Sequence, residues 1–247
     1  MELVRTHTSI PVPKCDRSVT PPTGHVYLIQ QYIPGRILHD VWPSLGWWNR
    51  FRVALTLRYY IHQLRSLSGC LGRLPGPGPP AINGEAQRCT GRLFTSDGSG
   101  PFSSYCEMAR WYRNRLLVMQ RFRKKYFATA PFDSSAPLVF THMDLHPRNI
   151  ILGDDGQLWI IDWADAGWYP SWFESASMSL FSLTQPEVPS SWSRLISFIA
   201  GSCQQPGQLP FIQAISYSLE MMQSQIVNLV SFSDLHFSAC LDLRASD

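Results

Sequence analysis

Between Phe140 and Gly167 the chain reads FTHMDLHPRNIILGDDGQLWIIDWADAG, which gathers His142, Asp144, His146, Arg148, Asn149, Asp154, Asp155, Asp162 and Asp165 among bulky apolar residues. Only 16% of the protein is charged, against the usual quarter, so this concentration of titratable and metal-capable side chains marks a site. His142, Asp144 and Asn149 stand in the order H-x-D-x-x-x-x-N, and thirteen residues after Asn149 an apolar run ends at Asp162. Phosphoryl transfer needs this layout: a carboxylate to take the proton of a substrate hydroxyl, and hard oxygen ligands for Mg²⁺. Asp144 suits the first role, and Asn149 and Asp162 suit the second. The four residues between Asp144 and Asn149 let the loop turn back, so that base and ligand face one cleft.

The other members of the cluster carry blander expectations. His142 reads as a structural anchor of the loop. His146 and Arg148 read either as phosphate or substrate contacts or as loop-stabilising groups. Asp154 and Asp155 form the turn of a hairpin, and Asp165 caps the next segment or lies near the metal, the cap being the simpler reading. A different chemistry is also open, because His142, Asp144, His146 and Asp162 together have the composition of a metal-dependent hydrolase site. The remaining His residues, at 7, 25, 39, 62 and 236, have no ligand-like spacing.

These groups must be positioned by the elements around them. LVFTH, NIIL and LWIID are short β-rich runs, and the GDDG between the last two predicts a hairpin, which puts the His and Asp residues at strand ends and in the preceding loop. MELVRTH reads as a helical fragment, TSIPVPKCDRSVTPPTG as an extended connection, and HVYLIQQYI as one strand stopped by Pro34-Gly35. Apolar residues at Trp48, Phe51, Leu55, Leu57, Ile61, Leu64 and Leu67 predict a buried amphipathic helix that ends at Gly69. A long Pro- and Gly-rich loop follows, of a kind that is often functional, then a helix from Tyr105 to Phe127. Beyond Tyr169 the chain reads as helices, the last running from Phe211 to Phe232.

The bulk numbers exclude several classes. With 247 residues, 45% hydrophobic, the chain buries a core sufficient for one large domain or two small lobes. The net charge of +3 is small, and the basic run RFRKKYF at 121–127 reads as a solvated helix end, so no nucleic-acid partner is expected. No apolar run approaches the ~18 residues of a membrane span. Six Cys without a CxxC pair, and no leader-like N-terminus, make a cytoplasmic protein with reduced thiols the expectation.

The run FTHMDLHPRNIIL…WIIDWADAGWYPSWFE resembles the catalytic core of the aminoglycoside phosphotransferase and choline kinase-like superfamily, especially its large fungal branch. The likeness extends in order to TSIPVP (Thr8–Pro13), VYLIQQYIPGRIL (Val26–Leu38), GPF (Gly100–Phe102) and GWYPSWFE (Gly167–Glu174). It implies a protein kinase-like α+β fold, with a β-rich N-lobe remnant and hinge over 1–34. A mainly α-helical C-lobe over 35–247 would carry the catalytic loop (142–149) and the metal-binding strand end (162). ATP with Mg²⁺ would lie between the lobes, with Asp144 as catalytic base, Asn149 and Asp162 as Mg²⁺ ligands, and the hinge at Gln31, Tyr32 and Ile33 meeting adenine. The acceptor would be the hydroxyl of a small molecule such as an aminoglycoside, choline or a sugar. Gln31 stands where the family often has an acidic residue, and Met143 where it usually has Gly. The family places a nucleotide-covering loop, a strand Lys and a paired helix Glu ahead of TSIPVP, so the expectation here is an N-terminally truncated member, in which Lys14 comes too late to serve as that Lys. Such a chain is either an ATP-dependent phosphotransferase or a catalytically inactive, pseudokinase-type binding protein.

Overall fold

The computed structural model describes residues 1–19, 27–70, 76–82, 84–124, 129–201 and 207–221. The chain opens with α1 (Glu2–His7) and an antiparallel pair, β1 (Cys15–Val19) and β2 (Tyr27–Gln30). β1 lies inside the stretch expected to be only an extended connection. Two-residue periodicity is hidden there because every side chain of the strand is exposed, leaving no apolar face to read. β2 ends at Gln30, four residues before Pro34-Gly35, and the chain re-enters a sheet at Gly35. Gly35 opens β3 (Gly35–Ile37), which pairs with β5 (Ile150–Gly153); a Cβ on Gly35 would lie 2.5 Å from the Leu152 carbonyl oxygen, so this close approach requires glycine.

After α2 (Leu38–Val41) comes α3 (Trp47–Cys70), longer than expected, with Gly69 inside it. Its buried face is Val53, Ala54, Leu57, Tyr60, Ile61, Leu64 and Leu67, whereas Trp48, Phe51 and Leu55 are exposed. The apolar period at the start of the helix therefore marks a solvent-facing stripe, and the core-facing positions begin at Val53. Among its described residues the following loop contains only isolated bridges, such as Gly78 with Trp168 and Cys89 with Ser99. α4 (Tyr105–Arg123) starts where the Ser104 hydroxyl accepts from Glu107 N–H, and it ends at Lys124 in the left-handed region.

β4 (Leu138–Thr141) leads into the loop that carries His142, Asp144 and Asn149. The expected hairpin follows as β5 and β6 (Leu158–Ile160), with the Asp155 carboxylate accepting from Gln157 N–H at 2.9 Å in its turn. β7 (Gly167–Pro170) then pairs antiparallel with β4, a strand that the GWYPSWFE stretch conceals behind its Gly and Pro. α5 (Phe173–Thr184), α6 (Ser190–Ser193), α7 (Ile196–Ala200) and α8 (Gln208–Met221) complete the described chain. The expected continuation of the last helix to Phe232 lies outside the described residues.

Two apolar cores result. One joins α3, α7 and the β5–β6 hairpin around Trp42, Leu57 and Trp192, and the other joins α4, α5 and α8 around Tyr112, Phe132, Phe173 and Phe211. Leu145 belongs to the first and Met143 to the second, both at most 3% exposed. Burying such side chains stabilises by roughly 1.5–3 kcal/mol each. The loop from His142 to Asn149 is thus anchored on both sides of Asp144.

Candidate active site

The loop from His142 to Asn149 is held by buried hydrogen bonds. His142 is fully buried, its Nε2 donating to the Ile161 carbonyl at 3.0 Å and its Nδ1 accepting from Asp144 N–H at 3.3 Å. Burial pushes its imidazole down to about 4, so the ring is neutral and structural, as its position beside a buried strand requires. Met143 has φ +71, a left-handed conformation that explains why glycine is the usual residue there in the family. Its buried side chain and a hydrogen bond from Ser177 Oγ to its carbonyl hold it there.

Glu174, near the start of α5, organises this turn, and no spacing singles it out. Its Oε2 accepts from the backbone N–H of His142 at 2.6 Å and of Met143 at 3.4 Å, while its Oε1 is buried without a partner among the described residues. Burial raises its carboxyl to about 7, against the two backbone donors and the charge of Arg65, which favour the carboxylate. In the sequence it stands only as the last residue of the GWYPSWFE stretch, with no role attached to it.

Asp144 sits at the mouth of the loop, its side chain 19% exposed. Oδ2 accepts from Asn149 Nδ2 at 2.9 Å and faces His146 Nε2 at 3.3 Å; Oδ1 accepts from Arg92 Nε at 3.2 Å. Burial raises the carboxyl, but the His146 contact and the charges of His146 and Arg92 outweigh it and hold it below the ordinary aspartate value. His146 is oriented by accepting from Arg148 N–H at its Nδ1 and by stacking on Phe181, ring centroids 3.9 Å apart and 4° from parallel. The Arg148 side chain instead forms an exposed ion pair with Glu187, away from the cluster.

Because Asn149 directs its amide nitrogen at Asp144, its amide oxygen points the other way. The Asn149 carbonyl accepts from Ile161 N–H at 3.0 Å, so the backbone sets Asn149 beside the residue that precedes Asp162. Asp162 is exposed, at φ +60, two residues past the end of β6. It lines a cleft of about 770 Å³ together with Gln31, Tyr32 and Ile33. Gln31 is fixed there by its N–H on the Lys14 carbonyl at 2.8 Å and by its side-chain oxygen, which accepts from Lys14 N–H at 3.3 Å. One carboxylate and one amide oxygen are a hard donor set that suits Mg²⁺, which completes its shell with water and phosphate oxygens. Among the described residues no group of three or more His, Cys, Asp or Glu is disposed to hold a metal ion, and His142 has both ring nitrogens engaged. The hydrolase donor set therefore does not assemble.

A second cavity, about 500 Å³, is lined by Asp144 and Asp165 with Arg92, Thr95 and Thr184. Asp165 is not a helix cap, since α5 begins after Trp172 without a side-chain cap. It accepts instead from the Thr90 hydroxyl at 2.6 Å, and burial followed by the nearby Asp144 and Asp162 charges raises its carboxyl despite that bond. Gly91, at φ +97, passes so close that a Cβ would lie 2.8 Å from Asp165 Oδ2. Thr90 and Arg92 arrive from the long loop, and nothing in their spacing marks them.

The architecture, a mixed α+β fold with small sheets and a mainly helical body, is that of a kinase-like phosphotransferase. The family model described as the phosphotransferase enzyme family matches residues 1–194, and the chain belongs to that family. Among solved structures it is similar to the GDP complex of aminoglycoside 2'-phosphotransferase-IIIa, at 13% identity and TM-score 0.51, covering 87% of this chain and 68% of that one. It is also similar to a thermostable mutant of aminoglycoside phosphotransferase APH(4)-Ia in ternary complex with ADP and hygromycin B, at 15% identity and TM-score 0.53, covering 88% and 74%. ADP-bound aminoglycoside phosphotransferase APH(2'')-Ib gives 12% identity and TM-score 0.50, covering 92% and 76%. At these identities the likeness shows the fold. No curated protein matches the chain.

Proposed function

We propose that this protein is an ATP-dependent phosphotransferase acting on the hydroxyl of a small molecule. The observation that carries the reading is the placement of Asp144 and Asp162. They line different cavities, one also lined by the expected hinge and the other by Arg92 and Asp165, yet the Asn149–Ile161 backbone bond ties their loops together. In this reading the catalytic loop separates a nucleotide side from an acceptor side. The part up to Pro34 acts as N-lobe segment and hinge, and the part from Gly35 as the C-lobe.

Gln31, Tyr32 and Ile33 offer backbone groups to adenine, and Asn149 and Asp162 hold Mg²⁺. When bound there, the ion neutralises phosphate charge that develops during transfer. Asp144 accepts the acceptor's hydroxyl proton. The hydroxyl oxygen forms the new bond to the γ-phosphorus, and the bond from that phosphorus to its bridging oxygen breaks, the electron pair leaving on ADP. His146 and Asn149 keep Asp144 ionised and aimed. Consumption of ATP implies a cytoplasmic protein, in keeping with its scattered cysteines; no described helix is long and apolar enough to cross a membrane.

The test is a thermal-shift titration of the full chain with ATP, with and without Mg²⁺, followed by ADP release over a panel of hydroxyl acceptors. Stabilisation that depends on Mg²⁺ and on Asp162 is expected, and no shift at saturating Mg-ATP would sink the reading. A binding protein without catalysis is the second reading, favoured by the Arg92 contact on Asp144; nucleotide binding with no ADP formed from any acceptor would select it.

A further inference from the structure

Two of the three side chains that contact the Asp144 carboxylate belong to its own loop. Arg92 is the exception, reaching Oδ1 from 52 residues upstream. Its Nε–H on Oδ1 is its one hydrogen bond among the described residues, so the other N–H donors of the guanidinium are unspent. The group is 31% exposed and lies over the Phe181 ring, 4.5 Å from its centroid, which supports the guanidinium.

Among the described residues that line the acceptor-side cavity, Arg92 is the only Lys or Arg. Oδ2 of Asp144 already holds Asn149 and His146, and Oδ1 holds Arg92 alone, so a hydroxyl reaching this carboxylate lands on Oδ1 beside the guanidinium. Whatever the acceptor carries next to that hydroxyl meets a partly desolvated positive charge. The cavity also carries the Asp144 and Asp165 carboxylates, so its lining is not positive as a whole; the preference for an anion rests on the short-range fork of Arg92, with which a carboxylate or phosphate makes paired, charge-assisted bonds that draw Arg92 off the base. On the rest of the wall Ser96 and Gln185 add neutral polar groups, the Thr95 and Thr184 hydroxyls already donate to the Gly98 and Leu180 carbonyls, Asp165 is engaged by Thr90, and Phe94, Leu180 and Leu219 are apolar.

We infer that the acceptor is a hydroxy compound bearing an anionic group beside the phosphorylated hydroxyl, and that Arg92 reads that group and in doing so uncovers Oδ1 of Asp144. This rests on the phosphotransferase reading of the site. A cavity of about 500 Å³ has room for a molecule of monosaccharide size.

Calorimetric titration of the full chain with D-gluconate, glucose 6-phosphate, sorbitol and kanamycin tests it, the first two separating a carboxylate from a phosphate. The expected result is that at least one anionic probe binds about tenfold or more tightly than sorbitol and kanamycin, and that Arg92→Gln removes the preference. Arg92→Lys, which keeps the charge without the planar fork, weakens that probe severalfold and decides the matter if the Gln variant does not fold. A neutral or cationic probe binding best, an anion preference that survives both substitutions, or no binding of any probe overturns the inference. Mg-ATP binding is read separately: an Arg92-dependent anion preference without it would keep Arg92 as an anion-binding group but remove the phosphotransferase reading, and with it the acceptor role of the bound anion.

Discussion

The two oxygens of Asp144 face two differently built halves of one site. On the Oδ2 side, His146 and Asn149 lie within five residues of Asp144, are buried, and are fixed by a 3₁₀ turn at Pro147–Asn149. On the Oδ1 side, Arg92 comes from a loop, is about a third exposed, and makes a single hydrogen bond among the described residues. The first half is rigid and covalently short-range; the second is a tertiary contact that a ligand can exchange for its own. Under the proposed function, preorganisation is concentrated where proton transfer must be repeatable, and freedom is left where the acceptor must enter.

Removing the group that both halves share has the largest expected effect. Asp144→Asn keeps the shape and loses the base, so turnover falls about 10³-fold while Mg-ATP binding persists, as single-turnover kinetics with a parallel binding titration will read. Loss of binding together with turnover would show that Asp144 serves the nucleotide side too. Asp162→Ala acts on the other cleft, and its expected result is a loss of Mg²⁺-dependent nucleotide stabilisation of about 2 kcal/mol or more, seen in the melting shift with ligand.

The next effect tests how the rigid half is held. Glu174 has its folded value raised to about 7 from 4.5, so its contribution is full below pH 4.5 and is lost as pH rises through 7. His142 has its folded value depressed to about 4 from 6.5, so its contribution is present above pH 6.5 and is lost as pH falls through 4. Each is worth about 3 kcal/mol by linkage, and between pH 4.5 and 6.5 their slopes oppose. Glu174→Gln removes one of them, so chemical denaturation of that variant should show stability rising with pH across this window where the parent is nearly flat. A parallel pair of curves would mean that Glu174 does not titrate with folding. The smallest change is expected at the surface: Arg148→Ala costs less than about 1 kcal/mol and leaves turnover unchanged, because its pair with Glu187 is exposed and away from Asp144.

The same division explains what is legible in the sequence. Asp144, Asn149 and Asp162 can be read there because loop and hairpin fix their separations along the chain, and so can the β5–β6 turn and most of the helices. Arg92, Thr90 and Glu174 reach the site through folding at long range, so no spacing encodes them. β1 and β7 escape for a related reason, one being exposed on every residue and the other masked by Gly and Pro. At the start of α3 the apolar pattern points to the wrong face, since aromatic residues there lie on the surface.

Phe181 belongs to neither half and touches both. His146 stacks on its ring, and the Arg92 guanidinium lies over the same ring, so one side chain 2% exposed fixes where both neighbours of Asp144 can sit. Substitutions at residues 92 and 146 are therefore energetically entangled although the two side chains share no hydrogen bond. In a double-mutant cycle, Arg92→Gln and His146→Gln should combine non-additively in the parent by about 0.5 kcal/mol or more, and additively in a Phe181→Leu background. The inherited history of such a site would be written in the order its substitutions arrived, with the ring at 181 deciding which second step each first step permits.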